Sequence, residues 1–239
     1  MFPLPLIPTV PDDLAKMNAR RALPQQNSFM KNALIRALNG IYEYAPRASP
    51  AQPAFGAFME YIEIVCDMTA LHIQGDEIFS NSLSSHCKAY QGPSKRHSSM
   101  AQNELSSFRR LACDWKKNGG KSYQASQIHS ALNGMEGVLI EVLHKQVPKF
   151  TEAAVPASIS DEQMLGLITD NMVWLTSNSE ICILLPFCMA HHDVRMSKYW
   201  PPVNLDAIQA MPELVEQNKS LWKFSPFDPI SRRGQKPVF

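Results

Sequence analysis

The chain has 239 residues, 45% of them hydrophobic and 19% charged, with a formal net charge of +1. That is enough apolar matter for one sizeable core, and it excludes the disordered, fibrous and collagen-like classes. So neutral a balance gives no broad basic field, and nucleic acid is not an expected partner. No run approaches the roughly 18 apolar residues of a membrane span, and the longest, 181–190, is interrupted by Pro186. The apolar stretch Met1 to Pro8 holds three prolines and no basic residue, unlike a secretory signal. Five cysteines, an odd number without a CxxC pair, read as reduced thiols and point to an intracellular, cytoplasmic protein.

In chain order, residues 1–26 read as an extended, Pro-rich arm, and 27–239 as a single helical domain. The first helix is predicted over 28–44, with an apolar stripe at Leu34, Ile35, Leu38 and Ile41 that reaches Lys31 one turn back. After the Pro-rich 49–53, a second helix is predicted over 54–79. Its stripe of Phe58, Tyr61, Ile62, Val65 and Met68 runs on to His72 and Asp76. The stretch from Lys88 to Arg96 reads as a solvated loop or, in a sharper reading, as a mobile lid over a pocket. A third helix follows over 99–117, with Leu105, Phe108 and Trp115 inward and Gly119-Gly120 as its stop. The fourth spans 123–147 and meets Pro148; its stripe of Ile128, Leu132, Met135 and Leu139 continues to Val142 and Gln146. Ser160, followed by Asp161 and Glu162, starts a fifth helix that runs to about Ser177. The tail, rich in Pro and aromatics, carries one more helix over 205–221 and wraps the rest. Four long amphipathic helices with modest connections argue an all-α four-helix bundle.

Polar groups on the inward stripes carry the functional information. Buried polar side chains are costly unless paired, yet Lys31, His72, Asp76 and Gln146 fall at or beside inward positions on three helices. One reading is a shared polar pocket in which Lys31 and Asp76 pair. The other is that some of them sit at the stripe edge and reach water.

Several segments share an order and spacing. They are Lys31-Asn32-Ala33-Leu34-Ile35-Arg36 with Leu38-Asn39-Gly40-Ile41-Tyr42; Phe58 and Tyr61 followed by His72-Ile73-Gln74-Gly75-Asp76-Glu77; and Val142-Leu143-His144-Lys145-Gln146-Val147-Pro148. Trailing segments are Leu185-Pro186-Phe187, His192-Asp193, Trp200-Pro201-Pro202 and Trp222-Lys223-Phe224-Ser225-Pro226. Together, over residues 28–239, they resemble fungal hemerythrin-like proteins. The resemblance implies a hemerythrin-like four-helix bundle with additional C-terminal helices, in which His and carboxylate ligands normally hold two iron ions. Here Lys31, Ile73, Leu105 and Val142 stand where that family has His, and Asp76 and Gln146 where it has Glu. The resemblance therefore implies a bundle without a metal or other cofactor.

A bundle that has lost its metal keeps a central cavity, the usual setting of a small-molecule site. Lys31, His72, Asp76 and Gln146 are the candidate catalytic groups. Arg36, Tyr61, Ile73, Glu77, Leu105 and Val142 are the candidate substrate-binding positions, with Trp115 and Trp174 nearby. Relatives resembling this chain act as pericyclases, one of them through a Diels–Alder cyclisation that builds a norbornene in a sordaricin-type terpenoid. The resemblance thus implies a cofactor-free cyclase acting on a hydrophobic small molecule. Three alternatives remain: a binding protein for a hydrophobic metabolite, a degenerate metal site at His72, Asp76 and Glu77, and a polar cluster that only fixes helix register.

Overall fold

The computed structural model describes residues 2–9, 14–88, 90, 92–151, 154–237 and 239. Seven α-helices order them: α1 (Ala19–Tyr44), α2 (Phe55–His86), α3 (Lys95–Lys117), α4 (Ala125–Leu139), α5 (Asp161–Ser177), α6 (Ile181–His191) and α7 (Leu205–Gln217). No strand occurs among the described residues, only an isolated bridge between Phe227 and Gly234. The fold is all-helical.

The arm is shorter than 1–26. α1 begins at Ala19, because Asn18 caps it by accepting from the Arg21 N–H, and the helix accommodates Pro24 near its start. Residues 2–9 are irregular and lie on α1. The Asn39 side chain accepts from the Leu4 N–H at 2.7 Å and donates to its carbonyl at 2.8 Å, and Asn32 does the same for Ile7 at 2.7 and 2.9 Å. Two amide side chains thus stand in for a neighbouring strand, and Phe2, Leu4 and Ile7 are buried.

α2 runs on to His86, and α3 already starts at Lys95, so Lys95 and Arg96 are helical rather than loop. Ala89 and Gln91 of that stretch lie outside the described residues. The stop after α3 is where the sequence placed it. Gly119 and Gly120 have φ of +66° and +75°, and a Cβ on Gly120 would sit 2.6 Å from Pro50 Cγ. Ser160 caps α5 in a full capping box with Gln163. The fourth helix does not run unbroken to Val147: α4 ends at Leu139 and passes into a π-helical turn, Ile140–His144.

α1 touches α2, α2 touches α3, α3 touches α4, and α4 returns to α1. The ring encloses the main core, which includes the buried Leu34, Ile62, Phe108 and Leu132. α5 packs across α1 and α2, while α6 packs on α1 and α7. The tail closes over the same core through Phe224 and Phe239, whose rings meet Phe58. Among the described residues no single helix is long and apolar enough to cross a membrane, and α5 and α6 bend by 115° at their junction.

Smaller clusters flank the main core. One joins Leu23, Phe79 and Phe150, a second Phe29, Cys188 and Trp200, and a third Leu185, Met189 and Met211. Where they meet the core beside α1 and α2 they leave an opening.

Candidate functional site

That opening is a cavity of about 350 Å³ between α1, α2, α5, α6 and the start of α7. It lies to one side of the ring of four helices rather than at its centre. Most of the wall is apolar, with Met30, Leu71, Phe79, Phe150, Leu184 and Trp200 among the lining side chains. Polar residues in the lining are Gln26, Asn27, His72, Asp76, Asn171, Thr176 and Asn204. Gly75 lets α5 approach α2 closely here, since a Cβ at that position would lie 3.0 Å from Leu175 Cδ2.

Of the four candidate catalytic residues, His72 and Asp76 line the cavity; Lys31 and Gln146 are not among its lining residues. Lys31 is fully buried and directs its ammonium to three acceptors: Asp76 Oδ2 at 2.6 Å, the Val142 carbonyl at 3.0 Å and Gln146 Oε1 at 3.0 Å. An ammonium has three hydrogens, so Lys31 has none left for a substrate. The π-helical turn explains the Val142 contact, because the carbonyls at a helix end lack intrahelical partners. Burial lowers the Lys31 ammonium from its ordinary value, and Asp76 opposes that shift. The expected pairing of Lys31 with Asp76 is present, and with Gln146 it forms a buttress behind the cavity.

His72 sits one turn before Asp76, its Nε2 3.5 Å from Asp76 Oδ2. Nε2 is buried and has no hydrogen-bond partner. Burial pushes the imidazole down to about 4, outweighing Asp76, with Lys31 adding to the fall. The ring is therefore neutral near pH 7. A carboxylate oxygen facing Nε2 favours the tautomer with the proton there.

The remaining candidate positions are elsewhere. Ile73, Leu105 and Val142 are buried in the main core, and Glu77 is half-buried away from the cavity wall. Tyr61 meets His191 of α6, its OH 2.7 Å from Nε2. The His191 Nδ1 lies 2.8 Å from the Phe187 carbonyl and must donate to it, so Nε2 accepts from the Tyr61 hydroxyl. Arg36 donates to the His191 carbonyl at 3.2 Å. Tyr61, Arg36 and His191 therefore fasten α6 to α1 and α2. Trp115 is core, and Trp174 packs against the core from α5. The expected substrate-binding set is thus displaced from the cavity, because an inward stripe does not say which inward surface it meets.

Sequence reasoning missed Asn27 and Asn171. Asn27 donates from Nδ2 to Asp76 Oδ1 at 3.2 Å. It precedes Lys31 by one turn, so the stripe would have reached it had the helix been started at the capping Asn18. Asn171 had no comparable signal; α5 brings it to the cavity by packing across α1 and α2.

The residues do not fit an iron pair. The Lys31 ammonium already occupies the cation position at Asp76, and Glu77 does not join His72 and Asp76. Among the described residues no three His, Cys, Asp or Glu side chains converge.

No protein-family model, no curated protein and no solved structure matches this chain.

Proposed function

We propose that this chain is a cofactor-free cyclase that performs an intramolecular [4+2] cycloaddition on a hydrophobic terpenoid or polyketide intermediate. In this reading its four long helices are a hemerythrin-like bundle whose ligand positions have been replaced. The observation that carries the reading is the apolar cavity with a neutral imidazole in its wall.

A [4+2] closure forms two carbon–carbon σ bonds as three π bonds become one. No atom or electron leaves, and the product is an isomer of the substrate. A protein assists by holding diene and dienophile in a near-attack geometry and by donating a hydrogen bond to the dienophile carbonyl as electron density builds there. The apolar wall provides the first. We assign the second to the His72 imidazole, which lies in that wall. Asp76 sets the tautomer, and Lys31 with Gln146 holds Asp76 in place, so these two act through their neighbours. A protein that binds a hydrophobic metabolite without converting it would use the same cavity, and turnover separates the two readings.

The test is His72→Leu, which removes the donor and keeps the bulk apolar. The expected result is cyclisation slowed by about 10- to 1000-fold, the span of single donor or acid losses, with an unchanged circular dichroism spectrum. Wild-type rates in a folded variant would take His72 out of the mechanism.

A further inference from the structure

The mouth of the cavity lies among exposed apolar side chains. Of the residues that line the cavity, Met172 and Ile181 are also exposed, at 40% and 51%, and so mark its opening where α5 gives way to α6. α5 continues this surface with Val173 beside Met172 and with Leu165 two turns earlier on the same side. The start of α7, which lines the cavity through Asn204 and Ala207, exposes Leu205 and Ile208. Six of the ten exposed large hydrophobic side chains among the described residues thus belong to these three helices, a concentration that singly scattered surface residues do not give. The charges around them have one sign. α5, α6 and α7 contain no lysine or arginine. Asp161 lies near Arg20, and Glu216 pairs with Lys219. Glu162, Asp170, Glu180, Asp206 and Glu213 are exposed and form no ion pair among the described residues. In the connection between α6 and α7, Arg195 is taken by Asp193, and Lys198 lies over the Tyr199 ring.

We propose that this rim is the docking surface for a partner protein, which presents an amphipathic helix with an apolar stripe flanked by lysine or arginine. The acids around an apolar centre call for basic residues around an apolar centre. Leu165 and Met172, seven residues apart, repeat at the spacing by which one helix packs along another, and an amphipathic helix laid on an apolar surface is a recurrent mode of recognition. The same acids repel the anionic surface of a lipid bilayer. A two-fold contact with a second copy would set acid against acid. The surface stands whether or not the cavity converts its ligand; a partner seated there covers the mouth, so that a hydrophobic ligand passes inward shielded from water.

The test is fluorescence anisotropy on the full chain with two labelled amphipathic peptides, each about four helical turns long. One carries leucine on one face and lysine on the other; its counterpart has glutamate in place of lysine. The lysine peptide is expected to bind saturably, to slow hydrogen exchange along α5 and α7, and to weaken with salt; the glutamate peptide is expected not to bind. The variant Leu165→Ser/Val173→Ser/Leu205→Ser changes three side chains that are more than half exposed and outside the cavity lining. It should weaken the lysine peptide by about 10- to 100-fold with an unchanged circular dichroism spectrum and unchanged turnover. No saturable binding, equal binding of the two peptides, or undiminished binding by the folded variant overturns the proposal. So does binding of phosphatidylcholine–phosphatidylserine vesicles, or a dimer in sedimentation, that the variant abolishes, since the occupant is then a lipid surface or a second copy. The two peptides and the exchange pattern decide the matter on the wild-type protein even if the variant does not fold.

Discussion

Lys31 is the residue on which the site's geometry turns. Its ammonium joins α1 to α2 through Asp76 and to the end of the fourth helix through Val142 and Gln146. Removing one partner of a buried ion pair leaves the other charge uncompensated, at about 3–5 kcal/mol. Lys31→Met should therefore lower the unfolding free energy in urea by about that much. The double variant Lys31→Met/Asp76→Leu should recover part of the loss, since no lone charge stays buried. A single variant as stable as the wild type would show that the pair is not a buttress. Much at this scale was legible in the sequence. The 3.6-residue period put Lys31, His72, Asp76 and Gln146 inward before any contact was known. Their division of labour was not legible, because periodicity gives a direction and not a partner. The ammonium first read as a substrate donor is saturated by the protein, and Asn27 was hidden by a helix start placed too late.

Among the elements, the N-terminal arm shows most plainly how spacing becomes structure. Asn32 and Asn39 are seven residues apart on α1, about 10.5 Å along its axis. Leu4 and Ile7 are three extended residues apart, about 10 Å. The match lets two side-chain amides hold two backbone positions of the arm at once. Asn32→Ala leaves the Ile7 N–H and carbonyl buried without partners. It should cost about 1–3 kcal/mol and speed hydrogen exchange at the Ile7 amide. Exchange as slow as in the wild type would mean that the arm is held by its apolar side chains alone. A helix stop was readable where glycine enforces it, at Gly119-Gly120, but not at Pro148, which lies inside a short 3-10 helix, Val147–Phe150, after α4 has already ended at Leu139. The π-helical turn was not readable, because Ile140–His144 carries an ordinary helical pattern; its consequence, the Val142 carbonyl offered to Lys31, emerges only in three dimensions.

Over the whole molecule, the cavity arises from the C-terminal helices rather than from the ring of four. α5, α6 and the start of α7 lay apolar side chains over α1 and α2 without filling the space at His72. Sequence reading placed a pocket inside the four-helix ring because the polar stripe residues point there. Half of that set, Lys31 and Gln146, turned out to close the interior, and the other half, His72 and Asp76, opens to the side. The position of the later helices depends on fastenings such as Tyr61 to His191, which join residues far apart in the chain. The proposed cyclisation asks for shape and one hydrogen-bond donor, and the proposal assigns both to this side cavity and its His72.

The measurement that bears most directly on that proposal is turnover by the chelator-treated protein, with elemental analysis to confirm that it is metal-free. A panel of terpenoid and polyketide polyenes, each with a 1,3-diene and an α,β-unsaturated carbonyl, would be followed by mass spectrometry. The expected result is protein-dependent conversion of at least one polyene to a cyclic isomer of identical mass, at a rate the chelator does not change. No protein-dependent isomer across the panel, or conversion that returns only when iron is added, would contradict a cofactor-free cyclase.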